Sequence, residues 1–190
     1  MQYSDSSLPF NIEQYSFLSL APVDSSNDQL IHVLYNSRNS DFLSCAYLMS
    51  RPAGQSYSAI KQMIATHENS DNFYYYIRHT TGDKPDVQSS MISGLIQAVW
   101  KDKSSGIVEV GITVFSDFRG RGIGGKSLDL LISRLSIHFN VFKFVASILT
   151  CNRSSKQLFL SRGFTQCGCH KQHFLNNGAR YDVDLFELIV

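Results

Sequence analysis

The second half of the chain shows two different periods of apolar residues. In Ile107–Val114 apolar side chains fall at every second position from Val108, which is the period of a strand with one buried face. In residues 128–139 they fall three and four residues apart, which predicts a helix, and Asn140 is its expected end. Residues 141–149 are apolar on both faces apart from two polar positions, which indicates a buried parallel strand.

The first half of the chain predicts shorter elements with more loop between them. We expect residues 1–14 to form a loose arm, residues 36–56 to be mostly loop with a short helix near 42–49, and residues 80–87 to form a turn. Apolar periodicity predicts strands at 15–20, 72–77 and 91–100, and helices at 28–36 and 58–67. With a helix after Asn152 and a final strand pair, the whole order is that of an α/β fold.

A glycine-rich segment follows the predicted strand Ile107–Val114. Residues 120–127 spell G-x-x-x-x-G-K-S, the P-loop pattern of nucleotide hydrolases, and residues 119–124 also fit the pattern R/Q-x-x-G-x-G/A. Both patterns place an anion at the N-terminus of a helix, where N–H groups and the helix dipole favour negative charge. The P-loop is disfavoured because five residues separate the strand from Gly120, and because no acidic residue closes the next strand to hold magnesium.

A second motif follows the strand at 141–149. Residues 152–164 match N-x-x-[AS]-x-x-L-[YF]-x-x-x-G-F with every spacing kept. With R/Q-x-x-G-x-G/A at the glycine-rich segment, this motif makes the chain resemble the GNAT superfamily of acetyl-CoA-dependent N-acetyltransferases. The resemblance covers residues 107–190 well and the first half by its order of elements. The G-x-x-x-D at 178–182 is similar to the ribosomal-protein N-terminal and phosphinothricin-type acetyltransferases.

The resemblance implies a single N-acetyltransferase domain over residues 1–190, with the α/β architecture of the GNAT fold. That fold has a mixed, largely antiparallel sheet, helices on both faces, and a splay between strands 4 and 5, where the pantetheine of the co-substrate acetyl-CoA lies. The residues implied to bind acetyl-CoA come from strand 4, the glycine-rich loop and the second motif. They are Ile112, Thr113, Val114, Arg119, Gly120, Arg121, Gly122, Ile123, Gly124, Gly125, Lys126, Asn152, Ser155 and Phe159.

Attack of an amine on a thioester needs a neutral amine, a polarised carbonyl and a proton for the leaving thiolate. Glu109 lies on the strand face opposite the apolar residues, and the phosphinothricin-type enzymes carry their implied general base at the matching position. Glu109 is therefore the candidate base. The alternative is an ordinary solvated carboxylate on an exposed sheet face.

The general acid is where the chain departs from the superfamily. Many members have Tyr at the position of Phe159, and phenylalanine cannot donate a proton. Ser155 lies one helical turn earlier on the same face and is the candidate donor, with Tyr181 or a water as alternatives. A cofactor contact for Ser155 and a brace of the final hairpin for Tyr181 also stay open. Asn152 is expected to cap its helix and to hydrogen-bond pantetheine.

Two functions are compatible with these residues. The first is an N-acetyltransferase that moves acetyl to a primary amine, on a small molecule or a peptide N-terminus, by direct attack in a ternary complex. The alternative is a non-catalytic GNAT-fold module that binds acyl-CoA as a sensor or interaction subunit, which the Phe159 substitution favours. Residues 36–55 and 170–180 are expected to frame the acceptor, and their mixed polarity leaves its identity open.

The overall composition predicts that several kinds of partner are absent. The formal net charge is +1, the hydrophobic content is 43%, and no stretch approaches the roughly 20 apolar residues of a membrane span. We expect a cytoplasmic protein with neither a nucleic-acid nor a membrane partner, with reduced thiols; a homodimer stays open. Cys167 and Cys169, near His170 and His173, lack the usual zinc-ligand spacing, so we expect no metal there and a pair of small buried side chains.

Overall fold

The computed structural model describes residues 17–38, 56–80, 90–176 and 178–190. Within these residues the chain forms seven strands and four helices. In chain order they are β1 (Phe17–Pro22), α1 (Asp28–Arg38), α2 (Tyr57–Glu68), β2 (Phe73–Thr80), β3 (Met91–Asp102), β4 (Ile107–Val114), α3 (Ile123–Phe139), β5 (Lys143–Leu149), α4 (Arg153–Leu160), β6 (Thr165–Asn176) and β7 (Ala179–Ile189).

These elements confirm the order predicted from the periodicity, with shifted ends. The predicted strand at 141–149 begins too early, because β5 starts at Lys143. The reason is local: Asn140 adopts a left-handed conformation with φ of 52°, and the Val141 N–H donates to the Leu135 carbonyl, so residue 141 closes the C-terminus of α3 instead of starting the strand. The predicted arm at 1–14, helix near 42–49 and most of the turn at 80–87 lie outside the described residues.

The strands form one mixed sheet in the order β1-β2-β3-β4-β5-β7-β6. All neighbouring strands are antiparallel except β4 and β5, which are parallel. Those two strands pair over Ile107, Val108 and Glu109 alone, while β4 continues to Val114. The strands therefore separate beyond Glu109, which confirms the predicted splay between strands 4 and 5.

Helices cover both faces of the sheet, as predicted. Successive residues of β2 lie on opposite faces of the sheet, so that Tyr75 belongs to one hydrophobic core and Tyr76 to the other. The first core packs α3, through buried residues such as Leu131, and Phe159 of α4 against the sheet. The second core packs α1 and α2 against the opposite face, with Ile60 fully buried between them and the sheet. This arrangement leaves the gap between β4 and β5 as a cleft through the sheet.

Candidate active site

Two cavities lie along the splay and share Ile112, Asn152 and Ser155 in their linings. The smaller, of about 210 Å³, occupies the end of the cleft next to Glu109. The larger, of about 400 Å³, extends to the glycine-rich loop and the first turn of α3. Because the cavities meet at three residues, they form one cleft that runs from the loop to Glu109.

The glycine-rich loop builds the outer end of this cleft. Gly120 and Gly122 both have a φ of +74°, a left-handed conformation that side-chain-bearing residues rarely adopt. Gly122 is the N-cap of α3 and supplies no side-chain cap, so the N–H groups of the first turn have no acceptor within the helix. Ile123, Gly124 and Gly125 belong to that turn and line the larger cavity. The loop therefore presents backbone donors and a helix dipole to an anion.

Side chains around the loop hold it against β4. The Arg119 Nε donates a 2.8 Å hydrogen bond to the Val114 carbonyl, which joins the loop to the end of the strand. The ring of Phe118 lies 5.9 Å from the Arg121 guanidinium and packs edge-on against the buried His79 ring at 4.9 Å. Arg119 and Phe118 line the larger cavity. Their contacts therefore hold in place the wall of the cavity that carries the predicted phosphate site.

Most residues predicted to bind the cofactor lie on the cleft. Twelve of the fourteen line one or both cavities within the described part of the chain; they are Ile112, Thr113, Val114, Arg119, Gly120, Gly122, Ile123, Gly124, Gly125, Asn152, Ser155 and Phe159. Arg121 and Lys126 are exposed and are not among the lining residues described. The cofactor roles of all these residues stay predictions.

Helix α4 contributes more to the larger cavity than we predicted. Ser154, Gln157 and Leu158 also line it, and their spacing of three and four residues is that of one helical face. That periodicity was present in the sequence and could have identified them. The Asn152 side chain accepts a 3.1 Å hydrogen bond from the Ser155 N–H, which confirms the predicted helix cap.

Glu109 lies at the closed end of the cleft and lines the smaller cavity. The Ser147 hydroxyl donates a 2.6 Å hydrogen bond to its Oε1, and the Lys101 Nζ is 2.8 Å from its Oε2. The Glu109 side chain is 27% exposed, and the residue contributes to the wall of the cavity. Sequence reasoning missed both partners, because only the register of β4 with β3 and β5 brings them to Glu109.

Tyr181, the third predicted catalytic residue, belongs to β7 in the final hairpin, and its catalytic role stays a prediction. It pairs with Phe174 across the final hairpin, with ring centroids 6.5 Å apart, and is not among the described residues that line either cavity. Its neighbour Asp182 accepts hydrogen bonds from the Gln172 N–H at 2.8 Å and the Lys171 Nζ at 2.9 Å. These partners, the Gln172 N–H first, hold the pKa of Asp182 below its ordinary value. Asp182 thus braces the hairpin, the role that the sequence left open for its neighbour Tyr181.

A buried ion pair anchors the first turn of α4 to β7. Asp184, 5% exposed in its side chain, lies 3.1 Å from the Lys156 Nζ and accepts a 3.0 Å hydrogen bond from Thr150. Burial opposes ionisation of Asp184, but hydrogen bonds from Lys156, Thr150 and Cys169 outweigh it, so the pKa of this carboxyl lies below its ordinary value. The pair holds the helix that carries Ser155 in place.

The cysteines of β6 differ from our expectation. Cys167 and Cys169 are exposed rather than buried, because β6 is the edge strand of the sheet and its outward residues meet no second layer. Among the described residues, no group of three or more His, Cys, Asp or Glu side chains is arranged to hold a metal ion. In that same part of the chain, no helix has both the length and the apolar character needed to cross a membrane.

The chain belongs to the GNAT acetyltransferase family: a family model described as an acetyltransferase (GNAT) domain matches residues 18–165. The protein is therefore an acyltransferase. A comparison with curated protein sequences found no match.

Solved structures of N-acetyltransferases share the fold at low sequence identity. One is a spermidine N-acetyltransferase from Vibrio cholerae in complex with CoA and spermine, with a TM-score of 0.74 at 18% identity over 90% of this chain and 95% of that one. Another modifies the N-terminal serine of the ribosomal protein L7/L12 in Salmonella typhimurium, with a TM-score of 0.74 at 20% identity over 92% and 96%. A third is the microcin C7 self-immunity acetyltransferase MccE with acetyl-CoA and AMP, with a TM-score of 0.73 at 17% identity over 92% and 93%.

Proposed function

We propose that the protein transfers acetyl from acetyl-CoA to a primary amine by direct attack in a ternary complex. The observation that carries this proposal is the single cleft with a phosphate-type loop at one end and a carboxylate at the other. The pyrophosphate of CoA would accept hydrogen bonds from the first turn of α3. The pantetheine would then lie along residues 112–114, whose backbone extends beyond the last pair between β4 and β5. This path brings the thioester to Ser155, where the cavities meet.

The chemistry assigns one step to each end of the smaller cavity. Glu109 takes a proton from the acceptor ammonium, and the neutral amine attacks the thioester carbonyl carbon. The C–N bond forms, the C–S bond breaks, and the departing CoA thiolate takes a proton from the Ser155 hydroxyl. The second proton that the nitrogen loses as the amide forms returns to the Ser155 oxygen, so that only the proton on Glu109 remains to be released to water. Ser155 suits this role because its residue lines both cavities, whereas Phe159 beside it carries no ionisable proton.

The smaller cavity also indicates the class of amine. Among the described residues that line it, Glu109 is the one ionisable side chain, and the Lys101 ammonium already balances its charge. A polyamine would place several positive charges among apolar and neutral groups, which is unfavourable. A peptide N-terminus or an amino-acid-like amine brings one charge and fits this lining better. We also propose a cytoplasmic location, where acetyl-CoA and such amines meet.

The proposal is tested by measuring CoA release from acetyl-CoA with a panel of acceptors. The panel should contain peptides with free N-termini, small amino-acid-like amines and polyamines, each with its N-acetylated form as a control. Turnover with peptide or amino-acid-like amines above the control is expected. Turnover confined to polyamines would overturn the acceptor class.

A non-catalytic acyl-CoA-binding module is the second candidate, because Lys101 and Ser147 already occupy both oxygens of Glu109 and no tyrosine stands at position 159. This candidate predicts that acetyl-CoA raises the melting temperature while no member of the panel causes CoA release. The same two measurements therefore separate the two functions.

A further inference from the structure

Arg162 lies in the turn after α4, and its guanidinium packs against the first turn of α3. A Cβ built on Gly125 would lie 2.1 Å from the Arg162 Nη2 and 2.8 Å from its Cζ. The guanidinium therefore occupies the place that a side chain at residue 125 would fill. Gly125 itself lines the larger cavity, so Arg162 lies directly behind the glycine-rich loop.

The charge of Arg162 is unfavourable for α3 alone. A cation beside a helix N-terminus opposes the helix dipole, and the first turn of α3 contains no acidic residue. Asp129, one turn further along, lies 3.5 Å from the Arg162 Nε, but its side chain is more than half exposed. The Nε atom is shielded from solvent and makes no hydrogen bond to any of the described residues. A bound anion at the loop would turn this unfavourable charge into a favourable one.

We propose that Arg162 is a positioning residue for the phosphates of acetyl-CoA, an inference that rests on the proposed function. Its charge lies behind the loop that would receive the pyrophosphate. Its guanidinium also holds the first turn of α3 at a fixed distance from the end of α4, the helix that forms the facing wall of the cleft through Ser154 and Leu158. A residue at 125 larger than glycine would remove both effects by displacing the guanidinium.

The test is calorimetric binding of CoA and of pantetheine, which lacks the phosphates and the nucleotide, to wild type, Arg162→Met and Arg162→Lys. Arg162→Met keeps an extended side chain but removes the charge, and we expect the Kd for CoA to rise about tenfold, as for loss of one partly screened charge contact. The Kd for pantetheine should stay within twofold. Arg162→Lys keeps the charge without the planar guanidinium, and its Kd for CoA should rise about threefold.

The matched control is Arg134→Met, which removes a charge from α3, the helix against which Arg162 packs. The Arg134 guanidinium lies 5.1 Å from the centre of the Tyr75 ring, away from the loop, so CoA affinity should not change. Equal losses for CoA and pantetheine in Arg162→Met would show a merely structural role and overturn the inference, as would CoA affinity like that of wild type. If Arg162→Met does not fold, Arg162→Lys decides by the same comparison. Failure of wild type to bind CoA would overturn the proposed function and this inference together.

Discussion

Ser147 and Glu109 join β5 to β4 at the point where the two strands stop pairing. The Ser147 hydroxyl donates a 2.6 Å hydrogen bond to the Glu109 Oε1, while the last backbone pair of these strands is Glu109 with Val145. The bond therefore closes the inner end of the cleft with side chains where the backbone ladder has ended. It also fixes the direction of the carboxylate. The end of the pairing between β4 and β5 thus both opens the splay that would hold pantetheine and places the candidate base at its inner end.

The first prediction concerns the glycine-rich loop. Gly122→Ala forces a side-chain-bearing residue to a φ of +74°, although nothing within 4 Å would contact its Cβ. The cost is therefore conformational, about 1 kcal/mol in the free energy of unfolding, together with a displaced loop. Acetyl-CoA should raise the melting temperature of wild type and should do so far less for Gly122→Ala.

The hairpin supplies a matched control for this variant. Gly178 has a φ of +77° and equally open surroundings, but it lies outside the cleft linings described. Gly178→Ala should cost similar stability and keep the full shift with acetyl-CoA. A shift of wild type by ATP with magnesium as large as that by acetyl-CoA would contradict the loop assignment and favour the P-loop.

The second prediction tests Ser155 as the proton donor. Ser155→Ala should lower kcat with little change in acetyl-CoA affinity, since general acid catalysis contributes about 10²–10⁴-fold. Ser154→Ala is the control, because Ser154 lines the larger cavity but not the smaller one, whereas Ser155 lines both. Phe159→Tyr adds a phenolic hydroxyl, which can donate a proton, one helical turn beyond Ser155, and we expect it to recover part of the activity of Ser155→Ala. A loss below about tenfold in Ser155→Ala, under that range, would make the serine a cofactor contact.

Part of this site could be predicted from the sequence, and part of it could not. The strand β4, helix α3 and helix α4 depend on local periodicity and on motifs whose residues are close in the chain, so their positions could be predicted. Lys101 and Ser147 could not, because they reach Glu109 through strand register, which no local pattern specifies. Arg162 could not for the same reason, since its contact with Gly125 depends on how α4 packs beside α3.

The third prediction concerns the ion pair that anchors α4. Asp184→Asn leaves the Lys156 ammonium without its carboxylate and should lower the free energy of unfolding at pH 7 by about 3 kcal/mol, the low end for breaking a buried pair because Lys156 is partly exposed. The folded-state pKa of Asp184 lies below the ordinary value of 3.8, so the stabilisation by its carboxylate is present above that pH and is lost as the pH falls through the folded pKa.

Denaturant unfolding of both proteins from pH 7 downwards checks this sign. The difference between wild type and Asp184→Asn should be constant near neutrality and should shrink below pH 3.8. Asp71→Asn is the control, because its pair with Lys103 at 3.4 Å is largely exposed and should contribute little. A difference that stays the same at acidic pH would assign the loss to packing rather than to charge.

The fourth prediction tests Glu109 as the general base. Glu109→Gln keeps an oxygen that can accept the Ser147 hydrogen bond but cannot take a proton from the amine. With the acceptor found in the panel, kcat/KM should fall by about 10²–10³-fold, typical for loss of a base, while CoA affinity stays within twofold. The rate of the variant should recover partly at high pH, where more of the acceptor is already neutral.

Glu187→Gln is the matched control, because Glu187 aligns with Val145, the β5 partner of Glu109, and pairs with Lys143 in the same way. If Glu109→Gln retains most of its activity at neutral pH, the proton leaves the amine by another group, and Glu109 with Lys101 and Ser147 becomes a structural bridge at the closed end of the cleft.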